Sequence, residues 1–325
     1  MHLVIFRRIL NAIPLLLLSS FISFMFVRMA PGDPVAMYLA RDIEDADPEV
    51  VAQIRERLGL DRPLLIQYVS WLKLVLQGDL GYSIVSKRPV IQVIWDVLPN
   101  SLLLAAISLP LAVIIGLLIG VLTAVLQRSI FDYLVTAFVF IGYSLPSFYL
   151  ALLLLYFFSF QMKWLPSSGM RSLRGSTHSP FVDLLLHAAM PVMTYTLVRL
   201  VVWVRFQRNS LIEVMNQDYI RTARAKGLHQ RGVILKHAWR NSLIPIITQL
   251  GLSFSSLVGG SFIIESIFAW PGMGRMGLDS VRYRDFPVTM GILLISSIMI
   301  IIGNMISDIS YALLDPRVRL DKAKR

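Results

Sequence analysis

Cysteine is absent from this chain of 325 residues, which excludes disulfide bonds, cysteine-ligated zinc and thiol catalysis. Charged residues are scarce, at 16% of the chain compared with about 25% in a typical soluble domain. Hydrophobic residues reach 56%, and the mean hydropathy is +0.66. A membrane protein is the broad class that fits this composition.

The sequence signatures of catalysis are also missing. No G-x-x-x-x-G-K-[ST] loop is present to hold nucleotide phosphates. The chain has no HExxH zinc motif and no convincing Ser/His/Asp combination. We therefore expect no catalytic residue, no metal site and no cofactor in this chain, and an intramembrane enzyme is disfavoured.

The formal net charge of +11 would, taken alone, also fit a nucleic-acid-binding protein. The basic residues instead gather in loops beside long apolar segments, which is the pattern that orients a protein in a membrane. We therefore expect a lipid bilayer as the partner of this charge, and no nucleic acid.

Six segments are long and apolar enough to cross a bilayer, since a spanning helix needs about 20 predominantly apolar residues. The first is expected to be retained rather than cleaved as a signal peptide, because its apolar run is long and a good cleavage site is missing. The sequence thus predicts an all-α integral membrane protein with six transmembrane helices. Their predicted ranges are 9–27, 101–126, 133–160, 184–204, 243–268 and 288–314.

Basic residues precede the first predicted span, fill the loop after the fourth and follow the sixth. All three places fall on one side of the membrane, and positive loops mark the cytoplasmic side. Both termini are therefore predicted to be cytoplasmic. The expected organisation is an N-terminal transmembrane helix (1–28), an external loop or lid (29–99), a five-helix core (100–314) with a cytoplasmic coupling loop (205–242), and a basic cytoplasmic tail (315–325).

The external loop is too long for a simple connector. Apolar periodicity predicts helices at 48–58 and 63–76. Two interpretations stay open at this point. The loop is either a small lid that packs on the bundle or lies in the membrane interface, or it is a platform for an external partner.

The most informative segment is 216–228, NQDYIRTARAKGL, in the basic loop between the fourth and fifth spans. Asp218 is predicted to cap a short helix and Gly227 to end it. The small alanine side chains allow another protein to approach this helix closely, and arginine and lysine give it positive charge. The helix can therefore lie in a groove of another protein. The predicted docking residues are Asp218, Tyr219, Arg221, Thr222, Ala223, Arg224, Ala225, Lys226 and Gly227.

Residues 217–228 resemble the EAA loop of bacterial ABC importer permeases, in the form found in the dipeptide/oligopeptide permease family. Arg221-Thr222-Ala223 stands where many permeases have Glu-Ala-Ala, and Pro245 lies further downstream than usual. Both departures resemble the peptide-permease branch. The resemblance covers nearly the whole chain through PGDP (31–34), LGLDRPL (58–64), GDLGYS (78–83), LPNS (98–101), SLPSF (144–148), ESIFAWPGMG (265–274) and DPR (315–317).

This resemblance implies a type I ABC importer permease in the bacterial plasma (inner) membrane, of the first-permease type that carries a long external loop. It also implies the partners: a second homologous permease, two cytoplasmic ATPases that bind ATP and Mg, and an external solute-binding protein. The segment 217–228 would be the coupling helix that docks on an ATPase. The substrate would be a di- or oligopeptide, although related permeases import glutathione or nickel chelates.

A few polar residues inside the predicted spans are further candidates. Arg199 lies within the fourth span, and Asn304 and Asp308 share one face of the sixth. Their predicted role is the translocation path or helix packing. Glu265, near the external end of the fifth span, is expected to contact a loop or an external partner. An ion-coupled secondary transporter would need its own coupling residues, for which only Arg199 and Asp308 are candidates.

Overall fold

The structure is a computed structural model, and the predicted tail at 315–325 lies outside the residues that it describes. Side chains are described except at 2–9, 57 and 307–314. The described residues are 2–29, 35, 47–57, 59–172, 179–243, 245–246, 249–250, 253 and 262–314.

Helices make up most of the described chain, and those with described bounds are numbered in chain order. The first six are α1 (His2–Met29), α2 (Pro48–Arg57), α3 (Leu64–Leu76), α4 (Val90–Val125), α5 (Ile130–Ser144) and α6 (Ser147–Leu154). The others are α7 (Pro180–Met215), α8 (Asp218–Ala225), α9 (Gln230–Gly232), α10 (Phe262–Ile267), α11 (Met273–Arg282) and α12 (Phe286–Leu314). Two π-helical turns, Leu155–Gln161 and Val233–Trp239, directly continue α6 and α9.

Four described helices are long and apolar enough to cross a membrane, which agrees with the predicted class of integral membrane protein. They are the Leu10–Met29 part of α1, then α4, α7 and the Phe286–Ile306 part of α12. The pair formed by α5 and the helix after it adds a fifth if the two are counted as one span. Half of the predicted fifth span, 243–268, lies outside the described residues, so the count of six stays a prediction.

The predicted third span, 133–160, is not one continuous helix. It breaks after Ser144, and the two halves are bent by 106°. Proline explains the break, because its ring restricts the residue before it to extended backbone and Pro146 itself has no N–H to donate. Leu145 accordingly has φ −80° and ψ 125°, and the second helix begins at Ser147.

The centre of the bundle is the long contact between α4 and α7, each of 36 residues. Gly116 and Gly120 let the two backbones approach closely, because a Cβ at either position would overlap Trp203 or Gln207 of α7. Trp203 is only 1% exposed and lies in the largest apolar cluster, which also contains residues of α4 and α12.

Both helices predicted in the external loop are present, as α2 and α3. α3 packs on α1 and α12 through Tyr68, which contacts Phe24 and Met290 in one buried apolar cluster. Directly before α12, Asp285 accepts hydrogen bonds from Ser83 and Ile84 and so fixes the turn that precedes α4. α3 and the turn before α4 are therefore packed on the bundle.

Candidate coupling site

The predicted docking segment forms the short helix α8, with one change at its start. Gln217 is the N-cap and makes no side-chain capping bond, so Asp218 is the first helical residue rather than the cap. Its carboxylate still interacts favourably with the positive N-terminal end of the helix dipole, and it lies 3.7 Å from Arg221 Nη1. The predicted end is confirmed, because Gly227 has φ +76°, a conformation that glycine adopts at little cost.

One face of α8 is fixed to the bundle. Ile220 is fully buried in an apolar cluster with Leu211 of α7 and Val233 and Ala238 of the π-helical turn, and Ala223 packs against the same cluster. Residues three apart lie on the same face of a helix, so Ile220 and Ala223 form its inner face.

The other predicted docking residues lie on the outside of α8. Tyr219 is 45% exposed, and its hydroxyl oxygen accepts a hydrogen bond from Asn241 Nδ2 at 3.0 Å, which ties α8 to the chain that follows it. Ala223 is thus the one predicted docking residue that faces the bundle. The exposed set is Asp218, Tyr219, Arg221, Thr222, Arg224, Ala225, Lys226 and Gly227.

Buried and partly buried hydrogen bonds, which the sequence did not indicate, join the two ends of the chain segment that carries α8. Gln207 Nε2 donates to Ser242 Oγ at 2.9 Å, and that hydroxyl donates to Trp239 O at 2.8 Å. Ser210 Oγ also donates to Ser242 O at 2.9 Å. Gln207 and Ser242 are fully buried. We call residues 207–242 the coupling hairpin, because these bonds join its two ends and leave α8 at its tip.

The first part of the predicted coupling loop, 205–242, is helical, because α7 continues to Met215. Arg208, which the sequence suggested was a loop charge, binds Asp132 of α5 instead. Its Nε and one terminal nitrogen each lie 2.9 Å from a different carboxylate oxygen of Asp132. Asp132 is 3% exposed, so this two-bond ion pair fixes α5 to α7 at the start of the coupling hairpin.

Glu265 occupies a different environment from the one expected for a partner contact. It is fully buried, and its carboxylate accepts hydrogen bonds from Ser101 Oγ at 2.8 Å and from the Arg275 backbone N–H at 3.0 Å. The Met273 N–H donates to Ser101 Oγ at 2.8 Å. In this chain the Glu265 carboxylate is thus bonded to α4 and to the start of α11, and its contact with an external partner stays a prediction.

The loop between α10 and α11 completes this arrangement. Trp270 Nε1 donates to Asn100 O at 3.1 Å, and Asn100 Nδ2 donates to Pro271 O at 2.8 Å. Gly272 is required at its position, because a Cβ there would overlap both Glu265 and Ser101. We call this set of contacts between residues 100–101 and 265–275 the glutamate clasp. It holds α10 and α11 against α4.

The candidate path residues are only partly described. Arg199 is partly buried in α7, and Asn304 is partly buried in α12. Both make interactions with other residues. The side chain of Asp308 lies outside the described set. Among the described residues no group of three His, Cys, Asp or Glu side chains could hold a metal ion.

Fold and site together define a class: a multi-pass helical membrane protein with a surface helix, seated on the bundle by one face and open to a partner on the other. The chain belongs to the family described as binding-protein-dependent transport system inner membrane component, whose model matches residues 116–320. A second model, for the N-terminal part of such membrane components, matches residues 1–105. The chain is therefore a permease subunit of an ABC importer and not an enzyme.

Named relatives match over nearly the full length. The chain is 41% identical over 315 residues to the oligopeptide transport system permease protein AppB of Bacillus subtilis, covering 97% of this chain and 98% of the relative. It is 40% identical over 313 residues to the glutathione transport system permease protein GsiC of Pectobacterium atrosepticum, covering 96% and 97%.

A solved structure of the same fold is the MetNI methionine ABC transporter in inward-facing conformations. The TM-score is 0.55 at 20% identity, over 69% of this chain and 98% of that chain. At this identity the likeness concerns the fold alone. It is consistent with the importer-permease architecture that the sequence indicated.

Proposed function

We propose that the chain is the first of two homologous permease subunits of a type I importer in a bacterial inner membrane. In this proposal six helices cross the membrane, both termini are cytoplasmic, and α8 faces the cytoplasm. The distribution of basic residues supports this orientation. The two permeases would form the translocation path between them and receive substrate from an external solute-binding protein.

The proposed substrate is a di- or oligopeptide. This rests on the relatives, since an oligopeptide permease and glutathione permeases match at about the same identity, 41% and 40%. Glutathione is itself a short peptide, so the shared substrate chemistry is a small peptide with charged ends. Import of glutathione specifically is the second candidate, and the GsiC relatives support it.

Two ATPase subunits that bind ATP and Mg would supply the energy. The observation that carries this proposal is the division of α8 into two faces. Ile220 and Ala223 are seated in the bundle, while a cationic surface with Arg221, Arg224 and Lys226 is exposed. When the ATPases close on ATP, they would move α8. The bonded base of the coupling hairpin would pass that motion to α7 and to the span that follows Ser242.

Arg199, Asn304 and Asp308 are proposed to line the translocation path or to pack the helices around it. Polar groups inside membrane spans usually pair with one another or face a polar cavity, which suits either role. Movement of a peptide through the path needs no covalent step in this chain.

Reconstitution tests this function directly. Proteoliposomes containing this chain, the second permease, both ATPases and the loaded binding protein should accumulate labelled dipeptide with ATP. Liposomes with this chain alone should not. Uptake driven by a proton or sodium gradient with this chain alone would contradict the proposal and favour a secondary transporter. Competition by unlabelled glutathione or oligopeptide for the binding protein would then separate the two substrate candidates.

A further inference from the structure

The short external helix α3 carries three stripes of side chains, each at helical spacing. Tyr68, Trp71 and Val75 form one stripe, which is buried or partly buried. The second stripe is apolar but exposed, and the third is polar and exposed. The exposed apolar stripe is Leu65, Val69 and Leu76. The polar stripe is Ser70, Lys73 and Gln77, where Gln77 is the C-cap just after the helix, and Ile66, which is 48% exposed, precedes Ser70 on the same side.

The first stripe attaches α3 to a membrane-spanning helix. Tyr68 OH lies 2.9 Å from Ser20 Oγ and donates to Leu17 O at 3.1 Å. Its ring makes edge contacts with Phe21 and Phe24, at centroid distances of 5.1 and 5.6 Å. These bonds fix both the rotation and the height of α3 against α1.

That height lies inside the spans rather than beyond them. Phe24 is five residues before the end of α1, and Met290, in the same cluster, is four residues after the start of α12. At a rise of 1.5 Å per residue, these contacts lie about 6–8 Å below the helix ends, whereas Ser20 and Leu17, which only the hydroxyl of Tyr68 reaches, lie about 14 and 18 Å below. Half of the hydrocarbon core is about 15 Å thick, so the tip of Tyr68 reaches the middle of the bilayer and α3 itself lies at the level of one leaflet.

α3 itself cannot cross the membrane. Its 13 residues span about 20 Å, whereas the hydrocarbon core is about 30 Å thick. Charged residues stand close to both of its ends, with Asp61 and Arg62 before it and Asp79 after it. A helix of this length with polar ends is typical of an element that lies along the membrane surface.

The exposed apolar stripe has no partner within the described chain. Leu65, Val69 and Leu76 are 63%, 44% and 79% exposed. The surface of α1 that does not contact α3 is also apolar, and its Leu18 and Phe26 are 57% and 73% exposed. Exposed apolar side chains are therefore present on α1 at the same depth at which α3 packs on it.

We propose that Leu65, Val69 and Leu76 bind the acyl chains of one leaflet, so that the external lid is embedded sideways in the bilayer. Ser70, Lys73 and Gln77 then face the headgroup layer, where the Lys73 ammonium meets lipid phosphates. The proposal rests on α1 and α12 as membrane spans and is independent of the transported substrate. It places this part of the lid in the membrane rather than on a platform for an external protein.

The two exposed stripes provide matched test positions on one helix. Because the chain has no cysteine, single cysteines at the six positions can carry a nitroxide spin label, with cysteine-free partner subunits. The complete transporter is placed in nanodiscs of phosphatidylethanolamine and phosphatidylglycerol. Collision of each label with oxygen, which enters the bilayer, is compared with collision with a water-soluble nickel chelate.

The L65C, V69C and L76C labels should collide with oxygen in preference to the nickel chelate, and the S70C, K73C and Q77C labels should show the reverse. Nickel collisions equal at both stripes would place the apolar stripe in water and overturn the proposal. Protection of the apolar stripe from both reagents would also overturn it, because another protein would then cover α3. Quenching of bimane at the same positions by lipids brominated on the acyl chain gives a second readout.

Discussion

Ala223 and Ala225 of α8 are two residues apart and face in different directions. Ala223 packs on the apolar cluster around Ile220, while Ala225 is exposed. A small side chain therefore has a different effect at each position. Ala223 allows α8 to pack closely on its own bundle, and Ala225 allows a partner protein to approach the outer face of α8 closely.

We expect Ala225→Gln to weaken docking without harming the fold. The longer side chain would hold the ATPase away from the α8 surface, and a tenfold loss of affinity corresponds to about 1.4 kcal/mol. Substrate-stimulated ATPase activity of the reconstituted complex should fall by about this factor. The thermal stability of the solubilised permease should stay unchanged.

Ala223→Glu serves as the contrasting variant, because it places a carboxylate in an apolar cluster. It should lower the thermal stability and yield of the permease itself. If Ala223→Glu were fully stable while Ala225→Gln unfolded, the assignment of the two faces of α8 would be reversed.

Gly227 is needed for its backbone and not for its size. A Cβ there would meet nothing within 4 Å, but the φ of +76° strains any side chain. We expect Gly227→Val to cost about 1–2 kcal/mol at the end of α8 and to lower coupled transport. Gly227→Asn should be milder, because asparagine tolerates this conformation.

A second glycine of the coupling hairpin is the control for this variant. Gly232 also has open space around it but has φ −66°. Gly232→Ala should therefore leave coupled transport, measured in the same proteoliposomes, at the level of the unmodified complex. Equal losses in Gly227→Val and Gly232→Ala would show that the backbone conformation is not the cause.

At the scale of elements, the coupling hairpin is a unit because its ends are bonded to each other. Gln207 and Ser242 are 35 residues apart in sequence, yet their hydrogen bond is fully buried at the junction with α4. Motion of α8 therefore cannot be absorbed by separation of the two ends. It reaches α7 and the following span together.

A double-mutant cycle measures this link. Gln207→Leu and Ser242→Ala should each reduce the amount of peptide transported per ATP hydrolysed, and the double variant should be no worse than the more severe single one. The expected interaction free energy is about 1 kcal/mol, the usual net value of a hydrogen bond.

Ser179→Ala is the control for a general loss of stability. Ser179 caps α7 at its N-terminal end, which is the end remote from the hairpin, so its removal costs about 1 kcal/mol without touching the hairpin. Its ratio of transport to hydrolysis should be normal. If the effects of the Gln207 and Ser242 substitutions on the transport-to-hydrolysis ratio were strictly additive, the hydrogen bond between the two residues would not contribute to coupling of ATP hydrolysis to transport.

The elements differ in how far the sequence could predict them. α8 and its end were predictable, because Gly227 and the charges around it are local signals. The bonds of Gln207 to Ser242 and of Arg208 to Asp132 were not, since each joins residues that are distant in sequence and is decided by helix packing. The break at Pro146 was visible as a proline within an apolar run, but its angle depends on what the second half packs against.

The glutamate clasp is a further element-scale feature with a measurable cost. Glu265→Ala would leave the buried Ser101 hydroxyl and the partly buried Arg275 N–H without their acceptor. A fully buried donor without an acceptor costs about 1–3 kcal/mol and a partly buried one less, so we expect a loss of about 2–4 kcal/mol in unfolding free energy. Denaturant unfolding of the solubilised permease measures it.

Glu213→Ala is the matched control for the clasp, because Glu213 is exposed at the end of α7. Its unfolding free energy should change by less than about 0.5 kcal/mol. An equally small change for Glu265→Ala would indicate that the clasp does not stabilise the fold.

At the scale of the whole molecule, the two ends of α7 should lie on opposite sides of the membrane. The chain has no native cysteine, so His229→Cys beyond its C-terminal end and Ser168→Cys before its N-terminal end can be labelled singly. Both positions are exposed. In intact cells with a permeabilised outer membrane, an impermeant maleimide should label Ser168→Cys only, and His229→Cys should require lysis. The opposite pattern would invert the proposed topology.

The glutamate clasp also sets an order of events during synthesis. Ser101 and Glu265 are 164 residues apart, so the first half of the clasp is made long before the second. At translation rates of about 5–20 residues per second, the interval is on the order of ten seconds or more. During that time α4 is in the membrane without the groups that close its end. Chains that stop before α10 would therefore expose an unfinished polar end to membrane quality-control proteases, and a complete chain would hide it.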